Sequence, residues 1–417
     1  MKAIKNFRWY IAGLLALATA LNYLDRQSLP VAISEIQKFI PVSDLEYSQL
    51  QMLFLISYSL MYVGGGKLID VMGTRMGYII IICWWSIANC LHGLVSSFMG
   101  LGMARFLLGL GEGGGFPASA KVVSEWFPAK ERSFAFGIFN TGSSLGAVIA
   151  PPIIAVIILQ LNWRWVFFIT GGLGLIWAII WYRVYHLPNR NKYVGDSERQ
   201  YIAEGLKDSG PTDQAHKIRW RDLFGYRKVW GLLVAKFLSD AAWYFYIFWL
   251  PKYLADIRGL NIQEIGYYAW IPYAAAGAGS FLAGWMSSYL LKKNFTLNQS
   301  RKIALGVAAA LMPVALLISG VPLGMAIVFF CMAMFGHQAF STLMQTLTAD
   351  LFPSSTVGSV AGLVGAAGSL GGVVFNGLVG VLLTYYSYTP VFIIAGVLHP
   401  LAFILILIMI KQIKMEH

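Results

Sequence analysis

Apolar stretches about as long as a bilayer is thick recur along almost the whole chain, parted mostly by short polar connections. A helix of ~20 residues crosses ~30 Å of hydrocarbon. In lipid every backbone polar group must be satisfied internally, so only helices and closed barrels can span. Twelve spans are expected, near 9–33, 47–69, 77–96, 98–123, 133–158, 164–185, 230–254, 264–290, 302–319, 322–348, 357–382 and 389–411. The fold class is therefore an all-α membrane protein with twelve transmembrane helices. Only 12% of the 417 residues are charged, against about a quarter in soluble domains. The 43 glycines suit membrane helices whose backbones approach closely.

The net charge of +12 is spread between spans, not gathered in a basic domain, so it gives no nucleic-acid signal. With the N-terminus inside, 24 of the 31 lysines and arginines fall on the inner face. They include Lys2, Lys67, Arg75, Lys121, ten residues between 183 and 228, and Lys414. Positive residues mark the cytoplasmic side, so both termini are expected in the cytoplasm. Ala18-Thr19-Ala20 resembles a leader cleavage site, but the apolar stretch continues past it, so it reads as a first span.

The one long polar stretch, 186–229, contains Gly210-Pro211 and a possible surface helix around 196–207. The expected domains are a six-helix bundle at 1–188, a cytoplasmic linker at 189–229 and a second six-helix bundle at 230–417. The halves repeat. At an offset of 225, residues 127–148 match 352–373 at seven positions, among them Phe127-Pro128 with Phe352-Pro353 and Ser144-Leu145-Gly146 with Ser369-Leu370-Gly371. A parallel internal repeat implies two pseudo-symmetric bundles.

Cys83, Cys90 and Cys331 lack metal-binding spacing and read as small buried hydrophobes. The glycines around Gly109 and Gly111 follow no strand and precede no Lys-Ser/Thr, so they are not a phosphate loop. No nucleophile-and-base set appears. No enzyme activity, cofactor or metal is expected.

Six charges lie inside spans: Asp25, Arg26, Arg105, Glu112, Lys236 and Asp240. Each costs at least ~3 kcal/mol at bilayer depth, so such residues usually line a path for a charged solute or a proton. The guanidinium of Arg26 offers a planar fork that matches a carboxylate. Its other reading is a structural partner for Asp25 or a neighbouring helix. Glu112 sits mid-span among glycines, where loss of water penalises the charged carboxylate, and is a candidate proton carrier. Arg105 lies two turns earlier on the same face. Asp25 points about 100° away from Arg26, and can meet Arg105 or another helix as a second proton site or a charge-pair gate. Lys236 and Asp240 are spaced to pair within one helix. Lys236 can instead bracket an anion together with Arg26. Neutral candidates for sugar hydroxyls and ring faces are Gln51, Tyr58, Tyr62, Asn140, Ser143, Ser144, Trp243, Gln338, Ser341, Gln345, Thr348 and Asn376. Each can equally be a helix–helix hydrogen bond, and His337 reads as structural.

Between spans two and three, Gly66-Lys67-Leu68-Ile69-Asp70-Val71-Met72-Gly73-Thr74-Arg75 resembles the G-x-x-x-D-x-x-G-x-R loop of the major facilitator superfamily. Glycine permits the tight turn. The acid can meet a helix N-terminus or a base and so lock one conformation. Gly66, Asp70, Gly73 and Arg75 are thus conformational-gate candidates. The second-half counterpart, Gly284 to Ser288, has serine where the acid is expected, so that gate is built differently. Asn22-Tyr23-Leu24-Asp25-Arg26, the run Arg105 to Pro117 and Glu125 to Ser133 resemble the anion:cation symporter family. Phe139 to Ser144, Lys236 to Trp243 and His337-Gln338-Ala339 resemble its bacterial hexuronate transporters.

The resemblance implies the major facilitator fold and proton-coupled uptake of a sugar acid such as glucuronate or galacturonate. It assigns the substrate's acidic group to Arg26 and the proton to Glu112. It also implies a monomer in the bacterial cytoplasmic (inner) membrane, whose partners are the sugar acid, protons and the lipid bilayer. Import of a galactonate- or gluconate-like acid and exchange of an organophosphate for phosphate are the alternatives.

Overall fold

All twelve apolar stretches are helical. In the computed structural model, residues 4–207, 220–352 and 354–413 are described. Lys2, Gly210-Pro211, Lys217, Arg219, Pro353 and Lys414 lie outside the described residues. Span 1 is Phe7–Ile36. Spans 2 and 3 form one helical run, Asp44–His92, broken at Gly73. Span 4 comprises Phe98–Glu112 and Gly115–Trp126, parted by a turn at Gly113-Gly114. Spans 5 and 6 are Ala129–Gln160 and Trp163–Val184. Span 7 is Arg227–Asp256, and span 8 is Trp270–Lys292 behind a short helix, Ile262–Tyr268. Span 9 runs through Leu297–Leu311 into a tighter 3₁₀ turn, Met312–Gly320. Spans 10, 11 and 12 are Leu323–Leu351, Ser354–Tyr385 and Tyr388–Met409.

Among the described residues, eight helices are long and apolar enough to cross a membrane, and one of them is the Asp44–His92 run that holds two spans. The other three spans fall short for visible reasons. Span 1 carries Asn22, Asp25 and Arg26, span 4 is split in two, and span 8 is diluted by glycine, serine and alanine. Outward faces are greasy: Leu60, Val156, Ile179 and Phe281 are exposed. Water would penalise such a surface, whereas lipid does not.

The chain divides into two compact units. The first comprises Met1–Ala32 and Ser57–Ala215, the second Ile33–Ile56 and His216–His417. In the first, a surface helix, Asp196–Lys207, ties the polar stretch to the start of span 1. Glu198 accepts the Phe7 and Arg8 backbone N–H groups at 2.9 and 3.1 Å, and its carboxylate also bonds Arg8. A carboxylate there satisfies two donors that a helix start leaves open.

The second unit includes the end of span 1 and the start of span 2. Tyr47 Oη donates to the Phe248 carbonyl at 2.6 Å, and Lys252 pairs with Asp44 at 2.9 Å and with Asp256.

Packing inside each unit repeats the internal symmetry. A Cβ at Gly146 would collide with the Ala20 carbonyl, which brings span 5 onto span 1. A Cβ at Gly371, 225 residues later, would collide with the Phe237 carbonyl, which brings span 11 onto span 7. Gly111 lies against the Trp85 backbone of span 3, and Gly336, at the same offset, against the Ala308 carbonyl of span 9. Small residues allow such backbone approach in membranes.

Candidate functional site

Arg26 is the centre of the first unit. It is 2% exposed, one and a half helical turns after Ala20, where span 1 meets span 5. Its Nε donates to Glu112 Oε2 at 2.9 Å, and Nη2 donates to Asn22 Oδ1 at 3.1 Å. The guanidinium lies over the rings of Tyr23 and Tyr58, at 4.6 and 4.8 Å. Two aromatic faces and a carboxylate fix both the plane and the charge of the group. Glu112 ends the first half of span 4, where the break at Gly113-Gly114 begins. Its second oxygen, Oε1, is buried without a hydrogen-bond partner. A carboxyl group placed so can take a proton without surrendering a bond it already makes.

Asp25 turns the other way. Its Oδ1 accepts from Asn89 Nδ2 of span 3 at 2.7 Å, and Asn89 also donates to Thr170 Oγ1 of span 6 at 2.7 Å. Asp25 is wholly buried, with polar neighbours from spans 3 and 6 and within electrostatic reach of Glu112. Arg105, also wholly buried, lies within electrostatic reach of Glu112 and His92.

A second cluster belongs to the second unit. Lys236 Nζ lies 3.0 Å from Asp240 Oδ1 and donates to Ser341 Oγ of span 10 at 2.7 Å. Trp243, two turns along span 7, stacks on His337 with ring centres 4.7 Å apart and planes at 8°. His337 is hydrogen-bonded to His399 of span 12 at 3.0 Å.

The remaining candidates are less gathered. Ser143 and Asn140 are half-buried on span 5, and the Ser143 hydroxyl donates back to the Asn140 carbonyl at 2.7 Å. Gln338 is half-buried and Gln345 exposed on span 10, while Thr348 bonds its own helix. Asn376 is fully buried, accepting from Trp249 Nε1 and donating to the Gly372 carbonyl, both at 2.8 Å. Its oxygen ties span 11 to span 7, and its nitrogen bonds its own helix one turn back. Gln51, Tyr58 and Tyr62 follow one another at spacings of seven and four residues along the continuous helix of span 2.

At the loop between spans 2 and 3, Gly73 adopts φ 74°, a conformation that needs glycine. Gly66, by contrast, has open space where a side chain would sit. Asp70 pairs with Lys121 of span 4 at 2.9 Å, with both side chains largely exposed. Arg75 donates to the Tyr182 carbonyl at 2.6 Å and lies over that ring at 4.6 Å. Beside it, Glu125 accepts from Thr74 and Tyr185 at 2.7 and 3.0 Å. In the second unit, where serine replaces the expected acid, Asp350 pairs with Arg301 at 2.7 Å, and Arg301 reaches Ser287 at 2.7 Å.

Asn22, Asn89, Thr170 and His399 escaped the sequence reading as members of these clusters. Asn22 is four residues before Arg26, a spacing that was visible. The others are lone polar residues in apolar spans, whose partners come from distant helices.

The Major Facilitator Superfamily profile matches residues 15–334 and 299–416. The chain belongs to this superfamily. This major facilitator protein is 34% identical over 401 residues to the hexuronate transporter of Escherichia coli (strain K12), covering 95% of this chain and 92% of that protein. It is 35% identical over 314 residues to the galacturonate transporter of Dickeya chrysanthemi, covering 75% and 91%. The inward-open structure of the xylose transporter XylE from E. coli superposes with a TM-score of 0.74 at 15% identity, covering 96% of this chain and 95% of that one. That match establishes the fold. The protein is therefore an integral membrane transporter, not an enzyme, with the twelve helices of the major facilitator architecture.

Proposed function

We propose that this transporter imports a monovalent sugar acid, glucuronate or galacturonate, together with protons, by alternating access in the bacterial inner membrane, with both termini in the cytoplasm. The observation that carries the reading is the buried bond between Arg26 and Glu112, in which one Glu112 oxygen is left open. The similarity to hexuronate and galacturonate transporters supports the substrate class.

The chemistry follows from the pair. A proton on Glu112 cancels its charge and weakens its hold on Arg26. The guanidinium then takes the substrate carboxylate as its counter-ion, keeping its stacking on Tyr23 and Tyr58. Lys236 is the second anion contact, and Tyr58, Trp243, Asn140, Ser143, Gln338 and Gln345 serve the neutral part of the sugar. Asp25 is a second proton site, and Asp70, Gly73 and Arg75 bias the conformational equilibrium. Once the cavity opens inward and Glu112 loses its proton, the carboxylate reclaims Arg26 and expels the substrate.

Uptake of labelled glucuronate into proteoliposomes, with and without an inward proton gradient, tests this. Accumulation above equilibrium only with the gradient is the expected result. Gradient-independent equilibration, or no uptake by folded protein while a hexonate acid is taken up, would refute the coupling or the substrate respectively.

A further inference from the structure

The second unit contains a device at the place where the first holds its ion pair. His337 stands 225 residues after Glu112, and the preceding residues, Gly111 and Gly336, share that offset and the same close backbone packing. Gly146 meets span 1 at Ala20 and Gly371 meets span 7 at Phe237. Six residues further along, these registers bring Arg26 into correspondence with Trp243. The contact Arg26–Glu112 is thus matched by Trp243–His337. One half carries opposite charges at this position, the other two flat rings.

The His337 ring is fixed on two sides. Nδ1 is hydrogen-bonded to His399 Nε2 at 3.0 Å, and one ring face lies on Trp243. His399 is braced in turn by Phe340, with ring centres 5.3 Å apart at 79°. Both histidines are at most 1% exposed. A phenylalanine at 337 could turn about its own axis, but an imidazole bonded to His399 and stacked on an indole cannot turn without losing both contacts. Its plane therefore sets the plane of Trp243.

We propose that His337 and His399 form a positioning pair that holds the Trp243 ring at a fixed angle as the platform for the substrate's sugar ring. The pair acts through Trp243, and the proposal rests on the sugar-acid reading for its substrate. Pre-ordering a contact ring lowers the cost of binding, and a lost aromatic contact corresponds to about three- to tenfold in affinity.

The test compares full-length wild type, His399→Leu, His399→Gln, Trp243→Leu and the double variant His399→Leu/Trp243→Leu. Glucuronate counterflow in proteoliposomes reads function, and thermal unfolding without substrate reads the mechanical link. His399→Leu is expected to raise the half-saturating concentration about three- to tenfold, with little change in maximal rate. His399→Gln, whose amide can still hydrogen-bond His337, restores it. The double variant is no worse than Trp243→Leu in counterflow, and its melting temperature shows the same non-additivity, although His399 and Trp243 share no ring contact. Additive effects in the thermal cycle, or an unchanged half-saturation in His399→Leu, overturn the proposal. If wild type moves no sugar acid, the substrate reading falls, and the thermal cycle still decides whether the histidines hold Trp243.

Discussion

Glu112→Gln separates substrate binding from proton coupling. The wild-type bond runs from Arg26 Nε to Glu112 Oε2 at 2.9 Å, with side-chain exposures of 3% and 0%. Water screens neither charge, so the carboxylate is a strong competitor for any incoming anion. A hydrogen bond to a charged group contributes ~1.5–3 kcal/mol net, which corresponds to roughly ten- to one-hundred-fold in an equilibrium constant. Glutamine keeps the shape and one acceptor but removes the charge. Arg26 in this variant should therefore bind substrate at alkaline pH about ten- to one-hundred-fold more tightly than in wild type, with little dependence on pH. Counterflow, which needs no net proton movement, should persist. Accumulation driven by an inward proton gradient should vanish. Both are read in the same proteoliposomes across a pH series. If Glu112→Gln still concentrates substrate uphill on a proton gradient, Glu112 is not the coupling residue and the reasoning fails.

Arg26→Lys keeps the charge but loses the planar stack on Tyr23 and Tyr58 and the fork geometry; half-saturation in counterflow should rise about tenfold or more. Gly146→Ala and Gly371→Ala drive a methyl group into a neighbouring carbonyl and should each destabilise by ~1–3 kcal/mol. Gly362→Ala, with open space at that position, should leave the melting temperature in detergent nearly unchanged. Asp70→Asn breaks an exposed pair with Lys121, so its stability should stay within about 0.5 kcal/mol of wild type. Its conformational balance should nevertheless shift, seen as faster labelling of single cysteines placed at the Gly66 end of span 2 and the Val357 end of span 11.

Most of the architecture was legible because lipid leaves the chain so few choices. The length of each apolar stretch sets a span, and the polar segment around Asp196–Lys207 forms its helix where charge of both signs gathers. The breaks were harder to see. Gly113-Gly114 reads as packing glycine in sequence, yet it ends one helical segment beside Glu112 and starts another. Helical spacing told which residues share a face, but not which helix that face would meet. Asp25 was therefore visible as a buried acid, while its partner, Asn89, was not. Asn376 shows the same limit: an amide in an apolar span is open to a ligand or to another helix, and its bonds to Trp249 and Gly372 could not be read from spacing alone. The partner of His337 was invisible because His399 stands 62 positions later.

The six charges within the spans have an electrical consequence. Asp25 and Glu112 balance Arg26 and Arg105, and Asp240 balances Lys236, so with their carboxylates ionised these six groups carry no net charge. Membrane voltage does work of ~2.3 kcal/mol per elementary charge for each 100 mV. It does no net work on a set that sums to zero and moves together, so these six charges would not make the return of the empty carrier depend on voltage. A cycle moving one proton with one monoanion would be equally silent, leaving the pH difference alone to set how far substrate accumulates. Only a second proton, with Asp25 the available carrier, would let the membrane potential add its share.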